Sequence, residues 1–235
     1  MTKAIFGTTR KNMKEDEDHW LSVSDLMAGL MIVFLFISVV LMRNALIERD
    51  KIKEIAAAYQ KNKVQIYNAL TKEFSLDLTS WDAEIDKKDL SFNFNSPDIL
   101  FEMGKSALNP KFKKILNDFI PRYFGVINHF KQSIKEVRIE GHTSSRWNND
   151  TSKDDAYFNN MRLSQGRTRS VLFYIYNLAS IKKERPWIKS NVAAVGYSSS
   201  KLILSKGIED SDRSRRVSFR LITNSETHIL KIMGH

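Results

Sequence analysis

The sequence has no cysteine among its 235 residues, which excludes a disulfide scaffold, a thiolate zinc site and a cysteine nucleophile at once. It leaves the compartment open. Its five histidines, His19, His129, His142, His228 and His235, follow no metal-ligand spacing, and no P-loop or dinucleotide fingerprint is present. Two Ser-x-x-Lys matches, Ser180 to Lys183 and Ser198 to Lys201, lack the Lys-Thr-Gly and Ser-Asp-Asn partners that a penicillin-binding site needs. With no catalytic constellation, the chain is expected to be no enzyme and to carry no cofactor and no metal. It also lacks internal repeats and low-complexity tracts, and its mean hydropathy of -0.35 excludes a protein made mainly of membrane spans.

One such span remains. From Leu26 to Met42 runs LMAGLMIVFLFISVVLM, seventeen residues without a charge. Extended back to Leu21, the stretch would measure roughly 33 Å as a helix, close to a hydrocarbon core of about 30 Å. Trp20 falls where an interfacial aromatic belongs. The run is longer than the apolar part of a cleaved signal peptide and leads into LMRNALIERD rather than a small-x-small site. Its apolar residues cover the whole helix circumference, which argues against a buried core helix. The expected divisions are a polar tail at 1–20, a transmembrane helix at 21–42, a helical stalk at 43–75 and a folded domain at 76–235.

The formal charge is +10, from 37 Lys and Arg against 27 Asp and Glu. Residues 1–42 hold four basic and five acidic side chains, so the excess lies wholly beyond the span. Basic residues are scattered through the domain without an aromatic-interleaved stripe, which makes nucleic acid a poor partner. Four basic residues precede the span and five lie in 43–62, so charge asymmetry is nearly silent on orientation.

Residues 43–75 contain no Gly or Pro, and Ile52, Ile55, Tyr59, Ile66 and Ala69 recur at near-heptad spacing broken by Asn62. A solvated stalk and a short pairing helix are both open readings. Beyond it, LSFNFN (90–95) alternates like a half-buried strand, and Asn109-Pro110 signals a helix start. Phe112, Ile115, Leu116, Phe119, Tyr123, Phe124 and Ile127 then keep helical spacing, with a kink expected at Pro121. EVRIEG (136–141) reads as a second strand, Leu163 to Leu178 as a second helix, and NVAAVGY (191–197) and RRVSFRLI (215–222) as further strands. The βαβαββ order predicts an α+β sandwich with its helices on one sheet face.

Four blocks then stop being generic: ILFEMGKSALNPKFKKIL (99–116), VRIEGHTSS (137–145), NMRLSQGRTRSV (160–171) and SRRVSF (214–219). In order and spacing they resemble the OmpA-like peptidoglycan-binding domain. The resemblance implies that a Gly-His-Thr-Asp turn and an Asn-x-x-Leu-Ser-x-x-Arg helix start grip a cell-wall stem peptide. Gly141, His142 and Thr143 match the turn, and Asn160, Leu163, Ser164 and Arg167 match the helix. Binding is thereby expected at Thr143, Asn160, Leu163 and Arg167. The family's turn Asp, which meets the ammonium of diaminopimelate, is Ser144 here, and the following loop carries Asp150, Asp154 and Asp155. Either one of these carboxylates supplies the lost charge, or peptide binding is altered.

The stretch WLSVSDLMAGLMIVFLFI (20–37) resembles the membrane helix of MotB-type stator subunits, and is most similar in wording to the B subunits of Zorya-type anti-phage systems. The resemblance implies an ion-carrying carboxylate at Asp25, a homodimer inside a ring of MotA-like A subunits, and proton-driven rotation. It also implies an inner-membrane protein with a cytoplasmic amino terminus and a periplasmic domain bound to peptidoglycan. A carboxylate near a bilayer is costly unless protonated, paired or hydrated. Taken alone, Asp25 reads equally as a dipole-favoured residue at a helix edge. A flagellar stator subunit and a passive membrane-to-wall tether are the alternatives.

Overall fold

The structure is a computed structural model, and it describes residues 10–95, 100–102, 104–148 and 150–224. The chain divides into two compact units, Met1–Glu54 and Ile55–His235. Helix α1 (Arg10–Phe74) supplies the described part of the first unit and the opening of the second.

Within the first unit every described side chain from Val23 to Asp50 is exposed. Apolar residues stand on all sides between Leu26 and Met42, so no single stripe is available for a core. This is the one described helix long and apolar enough to cross a membrane.

The second unit is α+β, as the strand and helix periods predict. Strands β1 (Ala83–Asp86) and β2 (Ser91–Phe94) form a hairpin. Helix α2 (Pro110–Asn128) follows, then β3 (Ile134–Gly141), α3 (Lys153–Asn177), a short 3₁₀ helix (Ala179–Glu184), α4 (Arg185–Asn191) and β4 (Val192–Gly196). A small hairpin of β5 (Leu204–Ser205) and β6 (Ile208–Glu209), helix α5 (Ser211–Ser214) and β7 (Val217–Thr223) complete the described fold. The five-stranded sheet has the order β1-β2-β7-β3-β4, antiparallel throughout except for the parallel β3 and β4 pair.

Local chemistry explains α2. Asn109 Oδ1 accepts from Lys111 N at 3.1 Å, and Pro110 occupies the first turn, where its missing N–H costs nothing. The helix continues as one element through Pro121. Its apolar stripe, from Phe112 through Phe119 to Ile127, is buried. Phe119 is the hub, with ring centroids 4.6 Å from Phe92, 5.2 Å from Phe74 and 5.2 Å from Phe219. Val171 and Ile175 of α3 join the same core as Val137 and Ile139 of β3, so both long helices cover one sheet face.

The last turns of α1 belong to that core as well. Ile66, Leu70 and Phe74 are completely buried. Arg122 of α2 fastens the helix end: its guanidinium pairs with Glu73 at 2.7 Å and Asp77 at 2.9 Å and lies 4.8 Å over the Phe74 ring. Three residues of the stretch expected to be a stalk are thus packed as domain interior.

Candidate functional site

Strand β3 ends at Gly141, and the next three residues turn into the domain instead of out to water. His142, Thr143 and Ser144 are all buried. Their backbone is held from two sides, with His142 N donating to Arg216 O at 3.0 Å and Thr143 N to Ser198 O at 2.9 Å. Glycine is required at 141 by close approach: a Cβ there would stand 2.8 Å from the Ser164 carbonyl oxygen and from Thr168 Cγ2. The strand end therefore rests directly on α3.

Helix α3 begins earlier than its sequence motif suggests. Ser152 is the N-cap, its Oγ accepting from Asp155 N at 3.1 Å, and Asp154 and Asp155 occupy the first turn, where the helix dipole favours them. Asn160, expected to open the helix, lies about two turns inside it. The free backbone N–H groups of a helix start are therefore not beside Asn160. Its side chain does something else: Nδ2 donates to Ser144 O at 3.1 Å and Arg146 O at 3.2 Å, tying the β3 turn and the following loop to the helix. Asn160, Ser164, Arg167 and Thr168 form one buried stripe along α3.

Arg167 is 8% exposed. Its Nε donates to Lys105 O at 3.1 Å, and its guanidinium carbon lies 4.8 Å over the Phe101 ring. Both contacts aim the planar donor fork, which suits a carboxylate. Thr143, Asn160, Leu163 and Arg167 all line one cleft of about 220 Å³. The sequence reading brought these four together and missed Phe101, Arg146, Trp147 and Arg215, which share the wall. Arg215 was within reach, since it stands in the SRRVSF block. Trp147 and Arg146 lie in the loop after the turn, where no periodicity guides a reading.

None of Asp150, Asp154 and Asp155 lines the cleft, and neither does any other carboxylate among the described residues. The loop's Asp154 and Asp155 start α3 instead of replacing the turn carboxylate. Glu209 accepts from the Ser145 backbone N–H at 2.9 Å and from its hydroxyl. Partial burial pushes the Glu209 carboxyl up, but these bonds outweigh it and hold the group below its ordinary range.

His142 lies off the cleft wall. It stacks on Tyr197 at 5.3 Å and approaches Glu140 at 3.4 Å. Burial holds its pKa below the ordinary 6.5, Arg216 and Lys201 add to the effect, and Glu140 opposes it. In the first unit, Asp25 is exposed on α1 between Val23 and Leu26. Among the described residues no group of acidic, histidine or cysteine side chains could hold a metal ion.

Residues 100–216 match the OmpA family. Zorya protein ZorB of Escherichia coli (strain ATCC 8739, Crooks) is 55% identical over 230 residues, covering 97% of this chain and 98% of that protein. The chain belongs to the ZorB family. A second Zorya protein ZorB, from Escherichia coli O139:H28 (strain E24377A), is 25% identical over 228 residues, 92% of this chain and 85% of the relative. Among solved structures, a MotB-like protein from Desulfovibrio vulgaris superposes with a TM-score of 0.50 at 20% identity, covering 70% of this chain and 96% of its own. That likeness is one of fold. For a ZorB-family chain, the 100–216 match contains the whole cleft, from Phe101 to Arg215.

Proposed function

We propose that this chain is the B-type, stator-like subunit of an ion-driven inner-membrane motor in Zorya-type anti-phage defence. In this reading residues 1–20 are a cytoplasmic tail and residues 21–42 cross the inner membrane once. Residues 43–75 lead into a periplasmic domain at 76–235 that holds peptidoglycan. The observation that carries the reading is the pairing, on one ZorB-family chain, of an arginine-bearing cleft with an apolar helix whose amino-terminal edge holds Asp25.

Each part has a physical task. Arg167, aimed by Lys105 and Phe101, offers a fork to a stem-peptide carboxylate. Asn160 keeps the turn bearing Thr143 fixed against α3, and Leu163 gives the peptide an apolar contact. A wall-bound domain cannot turn freely, so a MotA-like ring of A subunits has something to turn against. Asp25 alternately takes and releases the permeating proton. Two copies of the chain place two such carboxylates inside the ring.

The decisive test is Asp25→Asn, which keeps shape and removes the titrating group. The variant should copurify with the A subunit as the wild type does, yet lose phage protection completely in a plating assay. Protection retained at the wild-type level would overturn ion carriage through Asp25 and leave a passive membrane-to-wall tether. Loss of muropeptide binding in Arg167→Ala, with unchanged melting temperature, tests the cleft separately.

A further inference from the structure

The Ser-x-x-Lys match at 198–201 holds a serine whose every polar group is engaged inside the domain. Ser198 is 0% exposed and follows β4, at the first central position of a turn that Ser200 N closes by donating to Tyr197 O at 3.0 Å. Its φ is 52°, a left-handed conformation that glycine, asparagine or aspartate normally takes at such a position. A serine there carries a steric cost that a glycine would not. Its hydroxyl is no nucleophile for Lys201 to activate: it donates to Tyr157 O at 2.7 Å, and the Lys201 ammonium lies 3.8 Å over the Tyr197 ring.

Three hydrogen bonds offset the strain, and all of them run to the turn after β3 or to the helix behind it. Besides the bond from Oγ to Tyr157 O, Ser198 N donates to Ser164 Oγ at 3.1 Å, and Ser198 O accepts from Thr143 N at 2.9 Å. Tyr157 and Ser164 lie about two turns apart on α3, with Asn160 between them. Asn160 holds the other side of the same turn through Ser144 O and Arg146 O. The backbone from Thr143 to Arg146 is therefore hung between two side chains that are both anchored to one stretch of α3. Close approach delivers Ser198 to this stretch: a Cβ on Gly196 would stand 2.5 Å from Gln165 N and 2.7 Å from Ser164 Oγ, so the end of β4 rests on the helix as the end of β3 does.

Strain kept at a buried residue, where a glycine would remove it, points to a side chain with a task. Resting on the wall-binding reading above, we propose that Ser198 is a positioning residue for the cell-wall ligand. Its hydroxyl locks the loop after β4 to α3, and its carbonyl thereby fixes Thr143 and Ser144 where they line the cleft. Ser198 itself does not line the cleft and acts only through that turn. A ligand meets a turn already held in its bound shape, so association carries no cost of ordering it.

The test compares Ser198→Gly and Ser198→Ala with the wild type, each as the full chain in detergent micelles. Glycine removes the strain together with the hydroxyl, whereas alanine keeps the strain and loses the hydroxyl. Ser198→Gly should melt within about 2 °C of the wild type, because relief of strain offsets the lost bond. It should nevertheless bind L-Ala–γ-D-Glu–meso-diaminopimelate about fivefold more weakly by titration calorimetry, the size of one ordinary hydrogen bond. Ser198→Ala should show the same loss of affinity and melt lower than the glycine variant. In both, amide hydrogen exchange read by mass spectrometry should quicken over residues 142–146 and stay unchanged over β2. Wild-type affinity in Ser198→Gly, unchanged exchange at 142–146, or affinity lost only in step with melting temperature would each overturn the positioning role and leave wall binding intact. A wild type that does not bind the tripeptide overturns the wall-binding reading itself.

Discussion

Two stretches of α1 carry apolar side chains of the same kinds and put them to opposite uses. Between Leu26 and Met42 they occupy every side of the helix and stay exposed, Phe34 at 61% and Phe36 at 67%. Between Ile66 and Phe74 they recur every fourth residue, and Ile66, Leu70 and Phe74 are each 0% exposed. Hydrophobicity alone does not separate the two. Arrangement around the axis does, because a single stripe is satisfied by one packing partner, whereas a fully apolar circumference needs apolar surroundings on all sides. The first stretch has no packing partner among the described residues and is long and apolar enough to cross a membrane, whereas α2 and the sheet surround the second.

The largest effect that would break this comparison comes from the same substitution in both stretches. Phe74→Ala removes a ring packed against Phe92, Phe119 and Trp81, and should destabilise the domain by about 3 to 5 kcal/mol. Thermal melting should show a drop of roughly 10 °C or more for a unit of this size. Phe34→Ala should leave the domain's melting temperature unchanged within about 1 °C, since exposed positions away from a core shift stability little. Equal losses in the two variants would mean that Phe34 is also core.

A charge placed in the first stretch, and one placed just ahead of the second, give a somewhat smaller effect with the opposite assignment. Leu35→Arg puts a guanidinium near the middle of the apolar run, at a cost of about 2.5 to 3.5 kcal/mol on insertion scales. A substantial part of that variant should leave the membrane fraction on carbonate extraction. Val64→Arg, at a position 37% exposed in the second unit, should fractionate and melt as the wild type does. Retention of Leu35→Arg in the membrane at the wild-type level would argue against the span.

How far the sequence carried the fold follows from the same distinction between stripe and circumference. The Asn109 cap, Pro110 and the Phe112 to Ile127 stripe were legible because each is a local signal. The strand at 83–86 escaped because Ala83-Glu84-Ile85-Asp86, although it alternates, is only four residues long and has one β-branched and no aromatic side chain to mark it. The β5 and β6 hairpin escaped for a different reason. It turns through Lys206 and Gly207, both at positive φ, and lysine is a weak sign of such a turn. In the cleft, Thr143, Asn160, Leu163 and Arg167 came from a motif that a linear chain displays. Phe101, Arg146 and Arg215 come from three separate loops and segments that meet only once the sheet and α3 bring them together. Asn160 shows the limit most clearly: the residue was legible, but its task of holding Ser144 and Arg146 was not.

The two units differ in their polar groups too, and here the expected effect is smallest. Asp25 stands exposed beside an apolar run, while His142 is 3% exposed and faces Glu140, Tyr197, Lys201 and Arg216. Burial depresses the His142 pKa from 6.5, so the folded chain binds fewer protons at this ring than the unfolded chain does. Stability from this group is therefore fully present above about pH 6.5 and falls as the pH drops below it, with a slope of at most about 1.4 kcal/mol per pH unit. Glu140 is depressed as well, because its bond to His142 and the charges of Lys201 and Arg220 outweigh the desolvation that raises it. Its contribution fades only below the ordinary carboxylate value of 4.5, so the two windows separate. Between pH 7.5 and 5.5 the wild-type domain should lose a few degrees of melting temperature, and His142→Gln, which cannot titrate, should lose less. Identical pH slopes in the two proteins would remove His142 as the source.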